Sequence, residues 1–189
     1  MNSDNIALLK DKIRKEIIGE LRGQAPLLRS ERSRRIQEKL ISSEEFRSGR
    51  TIMTYVSLVA EVDTGLLNKR SLEMGKRVVV PFIDTENQTI IASELTSIDD
   101  LVNGPYGIKV PRNGSRNMPL EEIDLIVVPA IAYDKNNMRL GRGKGYYDRF
   151  LVRPELSSAK TVGLAFHFQV VDLLPADPDD IPVSRVITD

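Results

Sequence analysis

Apolar residues recur at intervals of three and four along the first part of the chain, with charged residues between them. The stripe comprises Ile6, Leu9, Ile13, Ile17 and Leu21. This spacing predicts an amphipathic helix, which Gly23 and Pro26 end. A second helix is predicted over about residues 30–41, with Ser30 as its N-cap.

Short β-branched runs then alternate with helical stretches. Strands are predicted at 51–56, 78–80, 89–92, 125–128, 161–165 and 183–187, and helices at 63–75 and 145–151. A strand, a helix and a strand in succession imply a right-handed crossover and parallel pairing. We therefore expect an α/β fold, a three-layer αβα sandwich around a mostly parallel sheet, in one domain over 1–189.

Proline and glycine recur through residues 103–119, so this segment is predicted to be a long irregular loop, and we hypothesise that it closes over a ligand.

The composition excludes several kinds of chemistry. The 189 residues contain no cysteine and one histidine, which excludes disulfides, thiolate metal sites, a thiol nucleophile and multi-histidine metal sites. Lys plus Arg and Asp plus Glu both number 27, a balance unlike that of a nucleic-acid coat protein. Neither a signal peptide nor an apolar run of the roughly 20 residues that cross a bilayer is visible. We expect a cytoplasmic monomer that binds neither nucleic acid nor membrane.

The charges are unevenly placed. Residues 135–149 contain five basic residues and one acidic residue, whereas residues 172–189 contain five acidic residues and one basic residue. A phosphate site with a divalent cation requires such a combination, but two separate solvated faces have the same pattern.

A glycine-rich loop follows the predicted strand at 125–128. It reads Arg139, Leu140, Gly141, Arg142, Gly143, Lys144, Gly145, Tyr146, Tyr147 and Asp148. Alternate glycines let backbone N–H groups approach a ligand, and basic side chains before a helix N-terminus favour anions. The loop is not a Walker A motif, because Gly145 stands where Ser or Thr is required. The pattern predicts a polyphosphate site, and its alternative is a flexible basic surface loop.

This string closely resembles the signature of the 5-formyltetrahydrofolate cyclo-ligase family, also called 5,10-methenyltetrahydrofolate synthetases. Lys10 and Arg14 resemble the family's N-terminal Lys-x-x-x-Arg, and Glu61 lies in a segment similar to the one that supplies a folate-binding glutamate. Tyr106 resembles the aromatic residue over the substrate, although many members carry Trp there. Asp180 lies where the family has a second magnesium carboxylate, and Asp177 and Asp179 beside it are alternatives.

The resemblance implies an ATP- and Mg²⁺-dependent closure of 5-formyltetrahydrofolate to 5,10-methenyltetrahydrofolate, through phosphorylation of the formyl oxygen. It implies Lys144 and Arg142 as catalytic residues and Asp148 and Asp180 as metal ligands. The implied ATP-binding residues are Lys10, Arg14, Arg139, Leu140, Gly141, Arg142, Gly143, Lys144, Gly145, Tyr146 and Tyr147. The implied folate-binding residues are Tyr55, Glu61, Tyr106, Arg142, Gly143, Lys144, Gly145, Tyr146 and Gln169.

The family fold is similar to that of sugar-phosphate isomerases and coenzyme A transferases (the NagB/RpiA/CoA transferase-like fold), which leaves an ATP-independent enzyme as one alternative. A non-catalytic polyanion-binding module is another. The helical arginines 29, 32, 34 and 35 either bind a polyglutamylated substrate or face water.

Overall fold

The computed structural model of the chain describes residues 3–104, 107–112 and 117–189, with side chains from Asn5 onward. The α-helices in these residues are α1 (Ser3–Gly23), α2 (Pro26–Ile41), α3 (Glu44–Ser48), α4 (Gly65–Glu73) and α5 (Tyr146–Leu151). The predicted N-cap Ser30 is wrong, because Ser30 lies inside α2. Pro26 occupies the start of that helix, where an absent N–H costs nothing.

Short strands alternate with these helices. They are β1 (Thr51–Met53), β2 (Arg77–Asp84), β3 (Thr89–Leu95), β4 (Leu101–Asn103), β5 (Lys109–Pro111), β6 (Leu125–Val128), β7 (Ala132–Asp134), β8 (Arg139–Leu140), β9 (Lys160–Ala165), β10 (Val170–Val171) and β11 (Arg185–Thr188). In the described residues no helix is long and apolar enough to span a membrane.

The central sheet has six strands in the order β11-β9-β6-β1-β2-β3. All neighbours pair in parallel except β2 and β3, which form an antiparallel hairpin at one edge. The predicted mostly parallel sheet and the predicted unit of strand, helix and strand, here β1, α4 and β2, are therefore confirmed. A three-stranded sheet, β10-β7-β8, carries the chain into the glycine-rich loop.

Both faces of the central sheet are buried, as alternate residues of β6 demonstrate. Leu125 belongs to the same core as Ile36 of α2. Ile126 points to the other face and belongs to the core that contains Phe150 of α5. Such burial on two faces explains why the strand is a continuous apolar run, and it confirms helices on both sides of the sheet.

Residues 103–119 are less irregular than predicted. In the described residues of this segment, β4 and β5 pair as an antiparallel hairpin with Val102 opposite Val110. The prediction missed the hairpin because each strand has only three residues and one ends at a proline.

The order of the strands indicates where a ligand site should form. β2 follows β1 on one side of it, whereas β6 and β9 lie on the other side. The order in which successive strands are added to the sheet therefore reverses between β1 and β6, although the two strands are parallel. In open parallel sheets, ligands bind beyond the carboxyl ends of the strands at such a switch point.

Candidate active site

An apolar cavity of about 380 Å³ opens at this switch point. Tyr55 and Val56, which follow β1, line it together with Pro129 and Ala130, which follow β6. The further lining residues are Leu58, Glu61, Pro81, Ile83, Ile108, Arg139, Gly141, Arg142, Lys144, Tyr146 and Tyr147. Mostly apolar walls with a few converging polar groups are typical of a site for a small organic ligand.

A charged cavity of about 310 Å³ lies between α1, the glycine-rich loop and residues 177–180, which form an acidic segment before β11. Its charged lining residues are Lys10, Asp11, Arg14, Arg139, Arg142, Asp148, Asp177 and Asp180. Leu140, Gly141, Gly143 and Gly145 also line it. The fold therefore brings the predicted ATP-binding and metal-ligating residues to one cavity. The exceptions are Lys144, Tyr146 and Tyr147.

Three residues line both cavities: Arg139, Gly141 and Arg142. Two ligands bound in the two cavities would therefore come together at this loop. The arrangement suits the transfer of a group from one ligand to the other, because two ligands held side by side do not have to meet in solution.

Lys10 of α1 connects the N-terminal helix to the acidic segment. Its Nζ lies 2.7 Å from Asp177 Oδ2 and 2.5 Å from Asp180 Oδ2, and the residue is only 8% exposed. Burial alone would lower the pKa of Lys10, but hydrogen bonds and charge from the two aspartates outweigh it and raise the pKa. Lys10 is therefore an ammonium ion held at one side of the charged cavity.

Arg14, one helical turn further along α1, holds the glycine-rich loop. Its Nε donates to the carbonyl oxygen of Gly141 at 2.9 Å, and its Nη1 lies 2.6 Å from Asp11 Oδ1. The same side chain also lies beneath Gly143, where an added Cβ would be 3.5 Å from the Arg14 Cζ. The spacing of Lys10 and Arg14 thus places both cations on the face of α1 that meets the loop.

Two of the three glycines in the loop have a conformation that requires glycine. Gly143 has φ of +90° and Gly145 has φ of +65°, in the region that side chains disfavour. Gly141 lies outside that region, and a Cβ there would have ordinary contacts. The loop therefore uses the left-handed conformation open to glycine at two of its three glycine positions.

Arg139 and Asp148 form an ion pair on the wall of the charged cavity. The Nη2 of Arg139 lies 2.6 Å from Asp148 Oδ1, and the arginine side chain is only 3% exposed. Asp148 Oδ1 also accepts the N–H of Ile181 at 3.4 Å, so it fixes the start of α5 against the acidic segment.

The acidic residues fit a divalent cation that is bound mainly through a ligand. Asp148 and Asp180 line the same cavity and provide the hard oxygen atoms that Mg²⁺ prefers. Across the part of the chain that the structure describes, no three acidic or histidine side chains are grouped closely enough to hold a metal. Mg²⁺ usually takes one or two carboxylates and completes its shell with phosphate oxygens and waters.

Arg142 and Glu61 join the glycine-rich loop to the segment after β1. Arg142 Nη2 lies 2.8 Å from Glu61 Oε1, and Glu61 Oε2 accepts the N–H of Leu58 at 2.9 Å. Lys144, two residues further along the loop, is exposed on the apolar cavity and makes no hydrogen bond or ion pair with a described residue. Of the three cations in the loop, Arg139 and Arg142 are therefore paired, and Lys144 is unpaired among the described residues.

The sequence matches a known protein family along almost its whole length. The family model of the 5-formyltetrahydrofolate cyclo-ligase family matches residues 7–189. This chain belongs to that family. The family members are ligases, and the chain is therefore an enzyme of the ligase class.

Named relatives match along most of their length. A probable 5-formyltetrahydrofolate cyclo-ligase from Caenorhabditis elegans is 32% identical over 161 residues, which are 79% of this chain and 78% of that protein. The cyclo-ligase of Mus musculus is 29% identical over 94% of this chain and 92% of its own. The solved structure of Aquifex aeolicus 5,10-methenyltetrahydrofolate synthetase has a TM-score of 0.83 at 32% identity, covering 95% of this chain and 89% of that one.

The aromatic residues predicted from the cyclo-ligase signature lie on the apolar cavity. Tyr55, Tyr146 and Tyr147 line it, and neither Tyr146 nor Tyr147 lines the charged cavity. The contact of Tyr147 with ATP stays a prediction, since this residue lines the apolar cavity and not the charged one. Burial raises the pKa of Tyr147 well above its usual range, the charge of Glu61 adds to this, and Arg139 opposes it. Tyr106 lies outside the described residues.

Gln169 requires a correction, because its side chain lies behind the apolar cavity and does not line it. The residue is 2% exposed. Its Oε1 accepts the N–H of Phe166 at 2.8 Å, and its Nε2 donates to the carbonyl oxygens of Ala130 and Ile131. The side-chain amide of Gln169 thus makes its hydrogen bonds to backbone groups. It positions the segment at Ala130, which forms one wall of the cavity.

Several apolar wall residues were not predicted as site residues, among them Ile83, Ile108 and Ala130. Apolar side chains look like core residues in a sequence. The one available signal was position, since Ala130 follows the strand that we predicted to be central.

Proposed function

We propose that this chain converts 5-formyltetrahydrofolate and ATP into 5,10-methenyltetrahydrofolate, ADP and phosphate. Its membership in the cyclo-ligase family supports a folate substrate. The observation that carries the proposal is the meeting of an apolar and a charged cavity at Arg139, Gly141 and Arg142. One cavity suits a flat heterocycle and the other a polyphosphate.

The folate is assigned to the apolar cavity. Pro81, Ile83 and Ala130 offer apolar surface to the pterin, and Glu61 offers a carboxylate that accepts its N–H groups. The phosphates of ATP are assigned to the charged cavity, where Lys10 and Arg14 face the glycine-rich loop.

The proposed reaction has two steps. The formyl oxygen attacks the γ-phosphorus of ATP while the bond from that phosphorus to ADP breaks, giving an imidate phosphate. N10 then attacks the formyl carbon and loses its proton, and the formyl oxygen leaves as part of inorganic phosphate. Phosphoryl transfer depends on positioning and charge stabilisation more than on a protein nucleophile. Arg139, Arg142 and Lys144 are the cations placed to stabilise the phosphoryl oxygens.

We further propose that Asp148 and Asp180 hold Mg²⁺ together with phosphate oxygens. The cation would neutralise charge on the transferring phosphoryl group. Lys10 pairs with Asp180 and Arg139 pairs with Asp148, so these cations balance part of the charge on the two carboxylates.

The test is the near-ultraviolet absorbance of the methenyl product. Protein is mixed with 5-formyltetrahydrofolate, and ATP and Mg²⁺ are omitted in turn. We expect absorbance to grow only in the complete mixture. Growth without ATP would contradict the phosphorylation step, and no growth in any mixture would contradict the reaction. A control variant on the exposed surface of α4, Lys69→Ala, should match the wild type.

A further inference from the structure

Two buried hydrogen-bond donors on the apolar cavity have no acceptor. They are the hydroxyl of Tyr147 and the Nε–H of Arg139, and neither has a hydrogen-bond partner among the described residues. The other buried side-chain atoms without a partner in these residues belong to Gln24 and Arg185, which line neither cavity. The two unpaired donors thus belong to residues that line the same cavity.

Leaving such donors unpaired destabilises the folded protein. A buried polar group without a partner costs about 1–3 kcal/mol. Native proteins leave few such groups, and those that persist are explained by strain, a catalytic role, or a bound water molecule or ion. An oxygen atom of a ligand bound in the apolar cavity would supply an acceptor of the kind that these donors lack.

Neither side chain is free to find an acceptor elsewhere. The guanidinium of Arg139 is held by Asp148 through Nη2 at 2.6 Å and is almost fully buried. The ring of Tyr147 packs edge-on against Phe150, with 6.4 Å between centroids. Both donors are therefore held in place before a ligand binds, which lowers the entropy cost of binding.

We infer that the Tyr147 hydroxyl and the Arg139 Nε–H bind the formyl oxygen of 5-formyltetrahydrofolate. This inference rests on the proposed function. Arg139 lines both cavities, so an oxygen that it binds lies where the folate meets the phosphate. In the proposed reaction that atom is the formyl oxygen, and Tyr147 then distinguishes an N5-formyl folate from a folate that lacks the group.

The test compares two ligands with Tyr147→Phe, which removes only the hydroxyl. Affinity is measured by calorimetry for 5-formyltetrahydrofolate and for tetrahydrofolate, which has the same pterin without the formyl oxygen. We expect the affinity for 5-formyltetrahydrofolate to fall roughly three- to ten-fold, as for one lost hydrogen bond, and that for tetrahydrofolate to stay constant. The thermal midpoint should be equal or higher, because an unpaired buried hydroxyl has been removed.

Tyr55→Phe is the matched control. Tyr55 lines the same cavity, but its hydroxyl already donates to the Val62 carbonyl oxygen at 3.0 Å. We expect this variant to lose stability while the ratio of the two affinities stays at the wild-type value.

Equal losses for both ligands in Tyr147→Phe, or no loss for either, would overturn the inference. A lower thermal midpoint without a selective loss would also overturn it, since it would indicate a structural role. If wild-type protein turns over 5-formyltetrahydrofolate and the variant shows no selectivity change, only this inference fails. If wild-type protein neither binds nor converts that folate, the proposed function fails as well.

Discussion

The guanidinium of Arg142 lies 2.8 Å from the carboxylate of Glu61, and this ion pair connects two walls of the apolar cavity. Arg142 also lines the charged cavity. A phosphate bound there would compete with Glu61 for the guanidinium and free the carboxylate for the pterin. Under the proposed function, this ion pair would couple the folate site to the nucleotide site.

The coupling predicts that nucleotide tightens folate binding. Arg142 is half exposed, so the ion pair contributes about 0.2–1 kcal/mol. A non-hydrolysable ATP analogue should accordingly raise the affinity for 5-formyltetrahydrofolate by roughly 1.5- to 5-fold in the wild type. In Arg142→Ala the analogue should leave that affinity unchanged, as measured by calorimetric titration.

Lys69→Ala, which removes an exposed lysine that pairs with Glu73 of the same helix, should keep the wild-type coupling. Coupling of wild-type size in Arg142→Ala would show that Glu61 is not released through this arginine.

Lys144 is predicted to act on the chemical step and not on folding. It is exposed and unpaired among the described residues, so Lys144→Ala should change the free energy of unfolding by less than about 0.5 kcal/mol. If Lys144 stabilises the transferring phosphoryl group, kcat should fall roughly 10²- to 10³-fold. A rise in the KM for ATP at unchanged kcat would instead assign Lys144 to uniform binding. Lys69→Ala, on the outer surface of α4, is the control.

Lys10 is predicted to stabilise the fold in a pH-dependent way. Its raised pKa means that the ion pairs with Asp177 and Asp180 stabilise the protein below the ordinary lysine value of 10.5 and fail as the pH rises through the raised value. Lys10→Met should lower the free energy of unfolding by roughly 1–3 kcal/mol at pH 7. The difference from the wild type should shrink above that ordinary value.

Urea unfolding at neutral and alkaline pH measures both quantities for Lys10→Met. Lys12→Met, an exposed neighbour on α1, should have little effect at either pH. The account attributes this stabilisation to the charged ammonium group of Lys10. It would be contradicted if the difference in stability between Lys10→Met and the wild type did not depend on pH.

The conformation of the glycine-rich loop predicts that substitutions at two of its glycines change the stability by different amounts. Gly143→Ala forces a side chain into φ of +90°, which costs about 1–2 kcal/mol. It also adds a Cβ against Arg14. Gly141→Ala meets only an ordinary contact, 3.8 Å from Arg139 Nη1, and should be nearly neutral in thermal unfolding. Equal losses of stability in the two variants would contradict the loop conformation.

Much of the fold was predictable because its signals are local. The run Leu125–Val128 is apolar throughout, as a strand buried on both faces must be, and Thr64 with Gly75 marks the two ends of α4. The hairpin of β4 and β5 was missed, because three-residue strands rely on pairing across the chain more than on their own composition.

The candidate site residues could be named one by one from the sequence, but the contacts between them could not be predicted. The signature identified Glu61 and Arg142 separately, yet nothing local indicates that residues 81 positions apart form an ion pair. In the same way, Tyr147 and Gln169 were predicted as ligand contacts from the signature alone. The direction of each side chain depends on packing, which turns Tyr147 to the apolar cavity and Gln169 to the backbone behind it.

The central claim is that the phosphoryl group passes from ATP to the formyl oxygen where the two cavities meet. It is tested most directly with 5-formyltetrahydrofolate that carries ¹⁸O in the formyl group, by mass spectrometry of the phosphate released. The account predicts one ¹⁸O atom in the phosphate for each methenyl product formed. Unlabelled phosphate released together with the methenyl product would contradict it.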